Sequence, residues 1–71
     1  MSTLKKLVEP YLVLAYEEKE KPGKHLEVAV YRLDDTDGKF RIIQFVNAAM
    51  KEFHTTENEE EAMVRFRQLL G

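Results

Sequence analysis

The stretch HLEVAVYRLDDTDGKFRIIQFVN, residues 25–47, decides the fold because it places two strand-like segments on either side of a turn. In its first part Leu26, Val28 and Val30 alternate with other residues, which is the period of a β-strand. The part FRIIQFVN, 40–47, is rich in aromatic and β-branched residues and is also typical of a strand. Strands joined by a short turn pair antiparallel, so the sequence predicts a β-hairpin.

The aspartate-rich turn between these strands has some features of a calcium-binding loop. An EF-hand loop has the form D-x-[DN]-x-[DN]-G, with a bidentate Glu at position 12. With Gly38 at position 6 of that pattern, position 1 is Leu33 and position 12 is Gln44, so both ends of the ligand set fail. The residues are typical of a tight turn in which Gly38 takes a positive φ as a bulge. We therefore predict a hairpin turn with no metal and no cofactor.

The turn also predicts a register for the hairpin. If Asp35 pairs with Lys39, then Tyr31 opposes Ile43, and both faces of the hairpin are substantially apolar. One face holds Leu26, Val28, Val30, Phe40, Ile42 and Val46. The other face holds Tyr31, Leu33, Ile43 and Phe45.

The segment before the hairpin predicts a short helix followed by a strand. TLKKLVE, 3–9, is a helix that Ser2 caps and that Pro10 ends. YLVLAYEE, 11–18, is typical of a strand, and a Pro-Gly turn follows it. On the helix, one face holds Leu4, Leu7 and Val8. To the second face of the sheet, the strand adds either Tyr11, Val13 and Ala15 or Leu12, Leu14 and Tyr16, depending on the length of the Pro-Gly turn.

The segment after the hairpin ends in an amphipathic helix. AAMKEFHTT, 48–56, is either a loop or a loop with a short fourth strand around Phe53. NEEEAMVRFRQLLG then has helical spacing, with a capping box at Asn58 and Glu61 or at Thr56 and Glu59. The apolar stripe of this helix consists of Ala62, Met63, Phe66, Leu69 and Leu70.

Together these elements predict a single α+β domain over residues 1–71. Its sheet is an antiparallel meander of three to four strands, with the C-terminal amphipathic helix on one face and a short N-terminal helix. The C-terminal helix covers only one face of the sheet. The other face therefore requires a cover, which is either the N-terminal helix or a second copy of the protein.

Composition and motifs exclude several classes of function. The chain has no cysteine, which excludes disulfides and thiolate metal sites. His25 and His54 have no histidine or carboxylate at a metal-binding spacing in the sequence, and no catalytic motif is present, so we predict neither an enzyme nor a metal site. The N-terminal apolar run is interrupted by Glu9 and Pro10 and is too short for a membrane span, so we expect a cytoplasmic protein with no membrane association.

We predict a non-enzymatic protein-interaction domain that forms a homodimer through the sheet face opposite the C-terminal helix. The expected interface consists of Tyr31, Leu33, Ile43 and Phe45. The alternative is a regulatory or nucleic-acid-binding domain that uses the surface of its sheet, since arginines lie near aromatic residues on the strands. The net charge of −2 and the separation of Arg32 from Arg41 onto opposite faces weigh against nucleic acid.

Overall fold

A computed structural model describes residues 3–71 as a four-stranded antiparallel sheet with one helix against each face. In chain order the elements are α1 (Thr3–Val8), β1 (Leu12–Lys21), β2 (Lys24–Arg32), β3 (Phe40–Val46), β4 (Ala49–Thr56) and α2 (Glu59–Leu70). The strands also lie side by side in chain order, which confirms the predicted α+β meander. The segment left open between loop and strand is a full fourth strand. The proposed cap Ser2 lies outside the described residues.

Helix α2 begins at one of the two caps that its sequence predicts. Of the two candidate caps, Asn58 is the one used, because its side-chain Oδ1 accepts a hydrogen bond from Glu61 N at 3.0 Å. Thr56 Oγ1 accepts from Asn58 N at 3.2 Å and so supports the cap. At the other end, the Gly71 N–H donates to the Gln68 carbonyl.

The face of the sheet beneath α2 forms the larger core. Its buried residues are Leu26, Val28, Val30, Ile42, Ala62, Phe66 and Leu70. Phe40 and Val46 are partly buried against them, so the residues predicted to face α2 do so. Gln44 is also buried on this side, and its Nε2 donates to the Leu69 carbonyl at 2.9 Å, which satisfies a carbonyl near the end of α2.

The opposite face, here called the α1 side, is covered in part by the N-terminal helix. Leu4 and Val8 are buried there against Ala29, Ile43 and Phe45. Leu7, which the sequence grouped with them, is 52% exposed. With 3.6 residues per turn, Leu7 lies about 100° around the helix from Val8, so it turns away from the sheet.

In the described residues, neither helix is long and apolar enough to cross a membrane. The longer helix, α2, has 12 residues and carries charged residues along its length.

The observed register of the β2–β3 pair differs from the predicted register by two residues. Tyr31 pairs with Arg41 rather than Ile43, and Ala29 pairs with Ile43. A shift by an even number of residues keeps every side chain on its predicted face, because the side-chain period of a strand is 2. The two faces were therefore predicted correctly although the partners were not.

The cause of the shift is the connection between β2 and β3, which spans residues 33–39 instead of forming a tight turn. The prediction that Gly38 takes a positive φ is wrong. The glycine that has a positive φ is Gly23, which lies in the turn between β1 and β2. Side chains organise the loop instead. Asp37 accepts from Leu33 N at 2.9 Å and Lys39 N at 3.2 Å. Asp34 accepts from Thr36 N at 2.9 Å.

The carboxylate of Asp37 makes the stability of this loop sensitive to acid. The hydrogen bond from Leu33 N, supported by bonds from the Arg41 guanidinium and Lys39 N, lowers the pKa of Asp37 to about 2. A carboxyl with a lowered folded-state pKa stabilises the fold above its unfolded pKa of about 3.9 and loses this contribution as the pH falls through the folded value. The Asp37→Asn variant is therefore expected to have a lower Tm than the wild type near neutral pH. The difference should shrink between about pH 4 and pH 2 in thermal melts followed by circular dichroism. A difference that does not change with pH would contradict this role for the carboxylate.

Strand β1 contains an irregularity that neither sequence alternative anticipated. Its pairing with β2 shifts between Val13 and Ala15, so Leu14 is an extra residue in a β-bulge. Val13 pairs with Tyr31, and Tyr16 pairs with Ala29. Because a bulge reverses the alternation of the strand, the α1 side receives Val13 from one of the predicted sets and Tyr16 from the other.

Two short turns connect the other neighbouring strands, β1 to β2 and β3 to β4. Pro22 and Gly23 connect β1 to β2, and Gly23 has a φ of 71°, as the third residue of a type II turn requires. Asn47 and Ala48 connect β3 to β4 with φ values of 51° and 65°, the signs of a type I′ turn. Asn47 Oδ1 also accepts from His25 N at 2.9 Å, which ties this turn to the start of β2.

Candidate functional site

The α1 side of the sheet retains exposed apolar side chains that α1 does not cover. Val13 pairs with Tyr31, Phe53 with Ile43 and Met50 with Phe45, and antiparallel partners share a face of the sheet. The large apolar residues exposed on this side are Tyr11, Val13, Met50 and Phe53, together with Leu7 on the outer side of α1, at 40–62%. This set, here called the exposed apolar surface, is the main candidate for contact with a partner.

Of the four residues predicted to form the interface, two are buried in the structure and two remain at least partly exposed. Ile43 and Phe45 are buried within the chain, at 4% and 8% exposure, so they are not accessible while α1 is in place. Tyr31 is half-buried, and its ring stacks on Tyr11 with centroids 5.3 Å apart. Leu33 follows β2 and is 45% exposed. The sequence grouped Tyr31, Ile43 and Phe45 on one face, as the pairing shows, but it could not determine how much of that face the short helix covers.

A groove of about 620 Å³ runs between α1 and the edge strand β1. Its apolar lining is formed by Val8, Val13 and the tyrosines, and charged residues of α1 and its end lie beside them. The lining residues are Lys5, Lys6, Val8, Glu9, Tyr11, Val13 and Tyr16. The groove therefore extends the exposed apolar surface toward the edge of the sheet.

A second feature of the α1 side is a cluster of ionisable side chains at the end of the β1–β2 hairpin. The two-residue Pro-Gly turn places Glu20 opposite His25 and Glu18 opposite Glu27. His25 Nε2 lies 2.8 Å from Glu18 Oε2 and 3.8 Å from Glu27 Oε1. The Glu20 carboxylate contacts His25 Nδ1 on the other side of the ring. The Glu18–His25–Glu27 cluster thus gathers three side chains that could ligate a metal, with one ligand atom from each lying within 4.8 Å of the others.

Glu27 is the buried member of this cluster. Its residue exposure is 0%, although a carboxylate is costly to remove from water unless it is hydrogen-bonded or paired. Its Oε2 accepts from the Tyr16 hydroxyl at 2.9 Å and from Leu4 N at 3.1 Å. The bond from Leu4 satisfies an N–H in the first turn of α1 and so links the cluster to the position of that helix.

Sequence reasoning missed this cluster because its members are brought together across two strands. No carboxylate lies at a metal-binding spacing from His25 in the sequence, yet the carboxylates of Glu18, Glu20 and Glu27 lie beside it in the structure. The sequence contains a signal, which is the pattern Glu-x-Glu before Pro-Gly and the pattern His-x-Glu after it. These patterns predict a cluster only when the length of the turn, and therefore the pairing of the two strands, is known. His54 also has a neighbour, Glu52, whose Oε1 lies 2.9 Å from Nε2.

The arginines considered for nucleic-acid binding are engaged by the loop between β2 and β3. Arg32 donates through Nε to the Asp37 carbonyl at 2.9 Å, and its guanidinium lies 5.4 Å from the centroid of the Phe40 ring. Arg41 pairs with the Asp37 carboxylate. Both side chains therefore contribute to the loop.

Comparisons with models of protein families, with curated proteins and with solved structures found no match to this chain. The function must therefore be inferred from the exposed apolar surface and from the Glu18–His25–Glu27 cluster.

Proposed function

We propose that the protein is a non-enzymatic interaction domain that forms a homodimer through the α1 side of its sheet. The observation that carries the proposal is the exposed apolar surface, which persists on this side after α1 has packed. Phe53 and Met50, at 45% and 62% exposure, lie on it beside residues that are buried. Large apolar side chains grouped in this way are typical of a surface that contacts a partner.

The small size of the chain favours a second copy as the partner. A domain of about this size buries only ~60% of the surface that its unfolded chain exposes, so association adds burial that the monomer lacks. A standard interface requires about 800 Å² from each partner, which is roughly a sixth of the 4623 Å² surface of this chain. A two-fold axis would place the same apolar surface on both sides of the interface. The net charge of −2 causes little long-range repulsion between two copies.

The nucleic-acid alternative has less support on this side of the sheet. Phosphate binding requires a basic surface, whereas Glu18, Glu20 and Glu27 gather on the α1 side. The side chains of Arg32 and Arg41 contact Asp37, in the loop between β2 and β3.

The dimer is tested by replacing an exposed residue of the α1 side. The wild type is expected to sediment as a dimer that dissociates on dilution, and Phe53→Glu is expected to sediment as a monomer with an unchanged far-UV circular dichroism spectrum. The reason is that the substitution places a charge in an apolar contact, where it loses its hydration without gaining a partner. Analytical ultracentrifugation across micromolar to millimolar concentrations measures both states. Phe53 is preferred to Phe45 because Phe45 is buried, so its replacement would also damage the fold.

Val64→Glu is the matched control, because Val64 is 41% exposed but belongs to α2, on the other face of the sheet. It should dimerise as the wild type does. A wild type that stays monomeric at all concentrations, or a Phe53→Glu variant that remains dimeric, would overturn the proposal.

A further inference from the structure

We propose that Glu18, His25 and Glu27 form a binding site for one divalent transition-metal ion of the Zn²⁺ class. The site is independent of the homodimer, since all three ligands belong to the β1–β2 hairpin of a single chain.

The spacing of the ligand atoms matches what such an ion requires. Zinc binds histidine nitrogen and carboxylate oxygen at about 2.0–2.2 Å in tetrahedral geometry, which places neighbouring ligand atoms about 3.4 Å apart. The distances from His25 Nε2 to Glu18 Oε2 and Glu27 Oε1 are 2.8 Å and 3.8 Å and bracket this value. All three ligand atoms lie within 4.8 Å of one another, so side-chain adjustments can bring them around one ion.

The surroundings of the cluster orient the ligands in the way that metal sites commonly show. Metal-binding histidines usually donate their second ring N–H to a carboxylate, which fixes the tautomer and turns the other nitrogen toward the metal. Glu20 contacts Nδ1 of His25 and so directs Nε2 at the other carboxylates. On Glu27, Oε2 accepts from Tyr16 and Leu4, while Oε1 faces His25.

The charge of the cluster also favours a cation. Three carboxylates surround one imidazole, and the side chain of Glu27 is only 1% exposed. Nε2 of His25 and one oxygen each of Glu18 and Glu27 lie together in this acidic environment. A metal ion bound to all three atoms would be stabilised by the negative charge of the carboxylates.

The ligand set indicates the class of ion. Imidazole suits zinc and its transition-metal neighbours, whereas Ca²⁺ requires six to eight oxygen ligands. Glu18 and His25 have side-chain exposures of 38% and 21%, so an ion can enter from solvent and solvent can occupy the remaining position. We therefore expect Zn²⁺ to bind more tightly than Ca²⁺ or Mg²⁺.

The test is calorimetric titration of the full, tag-free chain with ZnCl₂, with CaCl₂ and MgCl₂ in parallel. The wild type is expected to bind one Zn²⁺ per chain and to rise in Tm with zinc, because a ligand that binds only the folded state stabilises it. His25→Gln should lose this binding. Glu20→Gln, which removes only the outer carboxylate, should weaken it by about 10–100-fold. His54→Gln is the matched control and should bind zinc as the wild type does.

Two further measurements identify the histidine that binds zinc and test the site if His25→Gln does not fold. Histidine ring ¹⁵N spectra should show that zinc shifts Nε2 of His25 and leaves the His54 ring unchanged. Glu18→Gln alters a partly exposed ligand, so it tests the site if His25→Gln does not fold. Absence of zinc binding by the folded wild type, or equal loss of binding in His25→Gln and His54→Gln, would overturn the proposal.

Discussion

Phe66→Ala is expected to lower the free energy of unfolding by about 3–5 kcal/mol. Phe66 lies on α2 at 6% exposure and packs into the larger core with Val28 and Ile42. Truncating its ring removes buried apolar area and leaves a cavity that the rigid strands beneath cannot fill. Domains of this size are typically stable by about 4–11 kcal/mol, so the variant should be partly or largely unfolded at 25 °C.

Urea denaturation followed by far-UV circular dichroism measures this effect. Val64→Ala is the matched control on the same helix, since Val64 is 41% exposed and its change should stay within about 0.5 kcal/mol. Similar losses for the two variants would show that α2 does not pack on the sheet through Phe66.

Leu4→Ala is expected to lower the free energy of unfolding by about 2–5 kcal/mol. This is a large effect for a residue in a helix of six residues, since so short a helix has little stability of its own in water. Leu4 is 0% exposed and covers part of the face that contains Ile43 and Phe45. Its loss should therefore loosen α1 and expose both residues to solvent.

The same denaturation experiment tests Leu4, with a fluorescent dye that binds exposed apolar surface as a second readout. Leu7→Ala is the matched control in α1, because Leu7 is 52% exposed and makes a much smaller contribution to the core. If both variants are as stable as the wild type, α1 does not pack on the sheet, and the whole α1 side would be open to a partner.

The larger core could be predicted from the sequence because it depends on periodicity alone. Leu26, Val28 and Val30 alternate, and a register error of two residues does not move them to the other face. The Asn58 cap likewise follows from local chemistry that one helical turn contains.

The details that the sequence could not determine depend on interactions across the chain. In the loop over 33–39, the backbone N–H groups of Leu33 and Thr36 donate to the carboxylates of Asp37 and Asp34, and the residue types alone do not determine how long such a loop becomes. The bulge at Leu14 reverses the faces of β1, and nothing in YLVLAYEE marks it. The interface prediction shared this weakness, because Phe45 is apolar in either case and only the position of α1 decides that it is buried.

The order of the strands has a consequence for how fast the chain folds. Each strand pairs with its neighbour in sequence, so the sheet grows by closing one short loop at a time. Loops of two residues, over 22–23 and 47–48, close two of the three strand pairs. The distant contacts outside the sheet are those of α1 and α2 with the central strands, which require the central hairpin to be in place. Because neighbouring strands pair, the loops that must close are short, so the chain should refold from urea faster than a sheet of the same size with crossover connections, which leaves less time for partly paired strands to associate.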